Sequence, residues 1–206
     1  MELRHPRAPA LRRPGPLGRG RRALASAARV ALLAGPTAIA FFDGGYFEGP
    51  RLVAAIVAWA LVAVLAVVVG PPLLPRARAT WLALGGLAAF TAWVLISGSW
   101  APLAGPAGED VQRDALYLGA LVAGALAWRP EAGRGWARAV EVALAAGALV
   151  VIGYAIFGRL LPGVLDLRPS FYAGGRLDKP LTYWNAMGAL AALGLVLCCR
   201  IAGDPS

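Results

Sequence analysis

Residues 52–70 read Leu-Val-Ala-Ala-Ile-Val-Ala-Trp-Ala-Leu-Val-Ala-Val-Leu-Ala-Val-Val-Val-Gly, without one charged side chain. As an α-helix this stretch would be about 28 Å long, close to the ~30 Å thickness of the hydrocarbon core of a bilayer. A helix that is apolar on every side is typical of a membrane span or a deeply buried core, not of a protein surface. The stretch therefore predicts a transmembrane helix.

Other apolar runs lie on both sides of it, each bounded by Gly, Pro or charge: 23–42, 80–98, 115–128, 139–157 and 181–199. The run at 115–128 is short, so its helix must recruit the polar turn before it or cross a thinned bilayer. The composition agrees, because 59% of the residues are hydrophobic and 15% are charged, against roughly 25% charged in soluble domains. We predict an all-α fold: a polytopic membrane helix bundle of about six transmembrane helices over residues 23–200.

The net charge of +9 is distributed between the runs as in membrane proteins, so we expect no nucleic-acid partner. If the N-terminus lies in the cytoplasm, the cytoplasmic segments hold thirteen basic residues. The outer segments then hold six basic residues and most of the acidic residues. This imbalance predicts a membrane protein with a cytoplasmic N-terminus. The arm 1–22, rich in Arg and Pro, is predicted to be disordered, and residues 201–206 are predicted to form a cytoplasmic tail.

The first run allows an alternative interpretation. A basic arm, an apolar stretch and Ala38-Ile39-Ala40 together also resemble a signal peptide with its cleavage site. Because more spans follow, we expect an uncleaved first helix. Cleavage would leave the remaining topology unchanged.

The outer segment 158–183 combines arginines with aromatic residues and is the best candidate for a site. Arg176, Lys179, Tyr183 and Asn185 lie where this segment re-enters the membrane. A guanidinium group at that depth can hold a diphosphate through bidentate, charge-assisted hydrogen bonds. The alternative is that these side chains only anchor a helix end at the interface.

Small residues predict where helices approach each other closely. Gly188, Ala189 and Ala192 follow Asn185 at helical spacing, so we expect the Asn185 amide to point into protein and this face to pack on another helix. The same Gly-x-x-x-small spacing occurs from Gly85 to Ala89 and from Gly119 to Ala123.

The remaining polar groups predict no metal site and no cofactor. The acidic cluster at 109–114 is expected to be a solvated lead-in to a span, and Arg138 can pair with Glu141 one turn later. Cys198 and Cys199 are adjacent, so they cannot supply a spaced metal motif.

One stretch resembles a known family. Gly175-Arg176-Leu177-Asp178-Lys179-Pro180-Leu181-Thr182-Tyr183-Trp184-Asn185-Ala186-Met187-Gly188 is similar to the Arg-Leu-x-x-Pro-x-x-x-x-Asn-x-x-Gly stretch of the O-antigen ligase and polymerase family. Ile96-Ser97-Gly98-Ser99-Trp100-Ala101-Pro102, followed by Asp114-Ala115-Leu116-Tyr117-Leu118, also looks like an outer loop and span of that family. The resemblance covers roughly residues 80–200.

The resemblance implies an enzyme that transfers glycan from an undecaprenyl-diphosphate carrier to an acceptor on the outer face of the plasma membrane. It implies that Arg176 is the catalytic residue facing the diphosphate, with Arg168, Lys179, Tyr183 and Asn185 as substrate-binding candidates. Members of the family are about twice as long and carry a further arginine and a histidine in a later outer loop. We therefore expect this chain to be an N-terminal half that acts with a C-terminal half.

Two other classes of function remain open. A transporter subunit would need broken helices or charges near the bilayer midplane, and none is evident in the sequence. A non-catalytic membrane scaffold would need neither.

Overall fold

The computed structural model describes residues 16–69, 77–100, 104–128, 133–168 and 170–204. Within these ranges the chain forms six α-helices and no strand, which confirms the all-α prediction. The helices are α1 (Pro16–Ala40), α2 (Glu48–Val69), α3 (Arg78–Ser97), α4 (Ala104–Ala127), α5 (Gly133–Leu160) and α6 (Trp184–Ala202). Short 3-10 turns cover Asp43–Gly45 and Phe171–Ala173.

Helix α1 begins inside the arm that was predicted to be disordered. Residues 1–15 of that arm lie outside the described residues, but residues 16–22 are helical. Pro16 is tolerated in a first helical turn, where its missing N–H has no helical partner to lose. The Arg and Leu residues after it favour helix. At the other terminus, α6 continues to Ala202, into the predicted tail.

Five helices, namely α1, α2, α3, α5 and α6, are long and apolar enough to cross a bilayer, which makes this a membrane protein. Helix α4 is less apolar because it begins at Ala104 and includes the charged residues before its apolar run. Its 24 residues correspond to about 36 Å of helix. The short run at 115–128 is therefore extended by the polar turn before it, which was the first of the two predicted alternatives.

Contacts between helix ends define an up-and-down order. Arg21 in α1 donates to the Val67 carbonyl near the end of α2, so these two helices are antiparallel. Helices α2 and α4 have the most extensive contact and start at the same end. We call one end the loop end (residues 41–47, 98–100 and 161–183). The other, the basic end, comprises the starts of α1, α3 and α5 and the ends of α2, α4 and α6.

Ion pairs join α5 to α6 at the basic end. Arg138 pairs with Asp204 at 2.9 Å, and Glu141 pairs with Arg200, also at 2.9 Å. The predicted Arg138–Glu141 pair does not form, because the antiparallel end of α6 offers each side chain a partner of opposite charge. The two helices are thereby fixed in register at this end.

Of the three Gly-x-x-x-small pairs, only the one that begins at Gly119 lies at a close contact between described helices. A Cβ atom at Gly119 would lie 3.0 Å from Trp59 Nε1 and 3.3 Å from Ala58 Cβ, so the glycine lets α4 approach α2. Trp59 Nε1 also donates to the Ala115 carbonyl at 3.1 Å. By contrast, a Cβ at Gly85 or Gly188 would meet no atom within 4 Å.

The prediction for the Asn185 face was therefore wrong within the described chain. Gly188, Ala189 and Ala192 are exposed, and α6 instead buries Met187 and Gly194. A Cβ at Gly194 would lie 2.9 Å from Ala148 Cβ in α5. Small residues occur on more than one face of α6, and the direction of α5 selects which face is covered.

Candidate functional site: a cationic pocket at the loop end

The segment between α5 and α6 folds back onto the bundle as a cap. Leu177 and Leu181 pack against a buried cluster that includes Val151 of α5 and Met187 of α6. Gly158 leaves the space that Leu167 occupies when the chain turns back over the end of α5. The predicted site segment is therefore a structured part of the fold.

A buried carboxylate holds the centre of this cap. Asp178 is only 2% exposed, and its Oδ2 accepts a hydrogen bond from the Ser170 backbone N–H at 2.9 Å. Gly174 and Gly175 follow with φ values of +56° and +80°, a backbone region that L-residues with a Cβ rarely adopt. This left-handed turn delivers Arg176, whose N–H donates to the Ala173 carbonyl at 3.0 Å.

The cap and the end of α5 enclose a cavity of about 370 Å³, which we call the loop pocket. Its lining has four cationic side chains and two carboxylates: Arg159, Arg168, Arg176 and Lys179, with Asp166 and Asp178. The structure thus brings together three of the five residues predicted for the site, Arg168, Arg176 and Lys179. The volume of the loop pocket lies at the small end of the usual range for ligand pockets. The pocket therefore suits a polar head group better than a whole lipid.

The four cations differ in what neutralises them. Arg168 pairs with Asp166 at 3.3 Å, with its side chain 89% exposed, and Lys179 pairs with Asp43 at 3.6 Å. Arg176 instead has its guanidinium carbon 5.2 Å from the ring centroid of Trp184. Among the described residues, no carboxylate lies within 4.0 Å of Arg159 or Arg176.

Arg159 was not predicted as a site residue. It lies in the last turn of α5, where the helix dipole favours a cation. Its Nη2 atom would lie 3.7 Å from a Cβ at Gly175, so it stands beside the turn that carries Arg176. The sequence gives no direct signal that Arg159 and Arg176 line one pocket, because residues 160–175 separate them along the chain.

Tyr183 and Asn185 lie elsewhere. The Asn185 Nδ2 donates to the Tyr183 hydroxyl at 2.7 Å, which satisfies the amide locally at the start of α6. Tyr183 lines a second, larger cavity of about 910 Å³, the apolar groove between α1, α2 and α4. Of the two, Tyr183 lines the groove, and Asn185 lines neither cavity.

The Lys179–Asp43 ion pair stands between the two cavities. Lys179 lines the loop pocket and Asp43 lines the apolar groove. Both side chains are about one-third exposed, so water screens their attraction. The pair therefore links a residue that lines one cavity to a residue that lines the other.

Sequence reasoning also missed Arg51, which is 1% exposed at the start of α2. Its Nε and Nη2 donate to Gln112 Oε1 at 3.2 and 3.1 Å, and its Nη1 donates to the Tyr46 carbonyl at 3.0 Å. Glu109 Oε2 lies 3.7 Å from Nη2. The signal was present in the sequence: a charged residue starts the most apolar span, and an amide lies in the cluster at 109–114.

In the cluster at 109–114, Glu109 and Asp110 form ion pairs, but the prediction of a solvated lead-in is wrong for Asp114. That residue is 8% exposed, and its buried Oδ2 has no hydrogen-bond partner among the described residues. Arg113 Nη1 donates to Asp110 Oδ1 at 2.6 Å, and Glu109 faces Arg51. Within the described part of the chain, no group of three His, Cys, Asp or Glu side chains could hold a metal ion. His5 lies outside the described residues.

The chain matches no protein-family model, no curated protein and no solved structure.

Proposed function

We propose that the chain is one half of a membrane glycan ligase or polymerase resembling the O-antigen ligase family. It would transfer glycan from an undecaprenyl-diphosphate carrier to an acceptor on the outer face of the plasma membrane. The observation that carries the proposal is the loop pocket, where Arg159 and Arg176 stand together without carboxylate partners among the described residues.

The chemistry of the transfer explains why two free guanidinium groups would be useful. An acceptor hydroxyl attacks the anomeric carbon and releases its proton to water. The bond from that carbon to the phosphate oxygen breaks, and the diphosphate leaves with one more negative charge. Fixed cations at that position stabilise the charge that develops in the transition state. Arg159 and Arg176 would each face one phosphate, and the complementary half would supply the acceptor site.

The apolar groove supports a lipid-linked donor. Its wall combines Ala, Leu, Ile and Val side chains of α1, α2 and α4 with Arg51 and Arg113. Asp43 of this wall pairs with Lys179 of the loop pocket. A polyprenyl chain could lie in the groove while its diphosphate occupies the loop pocket. Tyr183 would then contact the lipid close to its head.

Binding of undecaprenyl diphosphate to the purified chain in zwitterionic nanodiscs tests this proposal. Arg176→Lys keeps the charge but loses the planar, bidentate fork, so we expect about tenfold weaker binding. Arg159→Lys should weaken binding similarly. Arg78→Lys, at an exposed arginine that starts α3 and lines neither cavity, is the control and should bind like wild type. Equal affinity of wild type and Arg176→Lys would leave Arg176 as an interfacial anchor.

The proposed orientation has its own test. Reporter fusions after residues 47, 105 and 170, all at or near the loop end, should be active outside the cytoplasm, and fusions after residues 75, 133 and 204 should be active inside. The physical reason is the excess of arginine at the basic end. A reversed pattern after residue 105 would show that α4 does not cross the bilayer.

A further inference from the structure

Arg29 is a cation in the apolar part of α1 that the proposed function does not use. Its Nε atom is buried and has no hydrogen-bond acceptor in the described parts of the chain. Its guanidinium carbon lies 5.5 Å from the ring centroid of Trp136 in α5. A cation next to a lipid-facing surface is costly unless something neutralises it, so its surroundings indicate what could bind there.

The neighbours of Arg29 place it at head-group depth. Ala28, the preceding residue, belongs to a buried cluster that includes Leu65 of α2 and Ala127, the last residue of α4. Trp136 is the fourth residue of α5. Arg29 therefore lies within about one turn of the ends of two neighbouring helices, at the level where lipid phosphates and tryptophan side chains meet.

The carboxylates of this end are already paired. Among the described residues, Glu141 and Asp204 are the acidic residues at the basic end, and they pair with Arg200 and Arg138. None of the ion pairs formed within the described ranges includes Arg29. A counter-charge for Arg29 must therefore come from outside these residues.

The sequence of α1 extends the site along one face. Arg22, Ser26 and Arg29 occur at positions i, i+4 and i+7, which places them in one stripe on the helix. Arg22 and Ser26 are exposed. Two guanidinium groups and a hydroxyl, spread over about 10 Å of helix, provide hydrogen-bond donors for a phosphate. The next residue, Val30, is an exposed apolar side chain.

We propose that Arg22, Ser26 and Arg29, flanked by Trp136, bind the phosphate of an anionic glycerophospholipid of the bilayer. The phosphodiester accepts hydrogen bonds from the two arginines and the serine, and the acyl chains extend along the apolar surface beyond Val30. A basic pocket between helices at the membrane surface is suited to such a head group. The lipid supplies the counter-charge that the described residues of this end lack.

Native mass spectrometry of the full chain, titrated with phosphatidylglycerol or phosphatidylcholine, tests the proposal. Wild type should retain one phosphatidylglycerol tightly and phosphatidylcholine weakly. Arg29→Gln should weaken phosphatidylglycerol binding about tenfold, the effect of losing a charge-assisted hydrogen bond. Arg78→Gln, an exposed arginine at the start of α3, makes the same change of charge at the same end and should leave the affinity unchanged.

Two further measurements decide the remaining outcomes. Arg22→Gln and Ser26→Ala change exposed positions, so they test the proposal even if Arg29→Gln does not fold. Each should weaken the binding of phosphatidylglycerol several-fold. Inorganic phosphate added in phosphatidylcholine nanodiscs should not reproduce the thermal stabilisation given by phosphatidylglycerol. Equal losses for Arg29→Gln and Arg78→Gln, no loss in any stripe variant, or full stabilisation by inorganic phosphate would each overturn the proposal. No glycan donor is present, so failure here is independent of the proposed transfer function.

Discussion

The contact between α2 and α4 and the loop pocket both contain arginines at the loop end, but they use them in opposite ways. In the α2–α4 contact, Arg51 is 1% exposed and donates to Gln112 and Tyr46. In the loop pocket, Arg159 and Arg176 have no carboxylate within 4.0 Å among the described residues. A guanidinium with all its partners in the protein stabilises the fold. One that lacks them is available to a ligand.

The largest expected effect is on stability, at Arg51. Arg51→Gln removes the donors to Gln112 and the Tyr46 carbonyl in a buried position, so we expect a loss of about 3 kcal/mol in the free energy of unfolding. Denaturation in mixed detergent micelles measures this loss. Arg176→Gln is the matched change in the loop pocket and should leave the unfolding midpoint where it is. Equal destabilisation by both variants would remove the distinction between the two regions.

The second expected effect tests the α2–α4 contact through its closest approach. Gly119→Leu places a side chain where a Cβ alone would be 3.0 Å from Trp59 Nε1, so overpacking should cost roughly 1–3 kcal/mol. Gly188→Leu serves as the control, because a Cβ there meets no atom within 4 Å. The same denaturation assay applies to both. If Gly188→Leu is the more damaging variant, α6 packs against a surface outside this chain.

The smallest expected effect concerns the ion pair between the two cavities. Asp43→Asn removes the partner of Lys179, but both side chains are about one-third exposed, so the loss of stability should stay below about 1 kcal/mol. Binding of undecaprenyl diphosphate should become slightly tighter, because Lys179 is then free to face the anion. Weaker binding in Asp43→Asn would mean that the pair holds the pocket in shape.

Sequence alone determined the number, type and alternating order of the helices. The reason is physical: a largely apolar run of about 20 residues satisfies its own backbone hydrogen bonds in hydrocarbon by forming a helix. The shorter run at 115–128 reached helix length by including the polar residues before it. The combination of arginines and aromatic residues indicated segment 158–183 as the candidate site. Arg176 was selected from its position in this segment and from the resemblance of residues 175–188 to a known family.

Only the tertiary structure decided which polar and small residues have partners. Arg51 and Gln112 lie on different helices, as do Gly119 and Trp59, and their contacts exist because α2 and α4 run in the same direction side by side. Asn185 was assigned to a covered face because small residues follow it, yet the orientation of α5 covers another face of α6. Arg159 joined Arg176 only because the cap folds back over the end of α5. Local sequence encodes helices, whereas the faces that meet depend on how all six pack together.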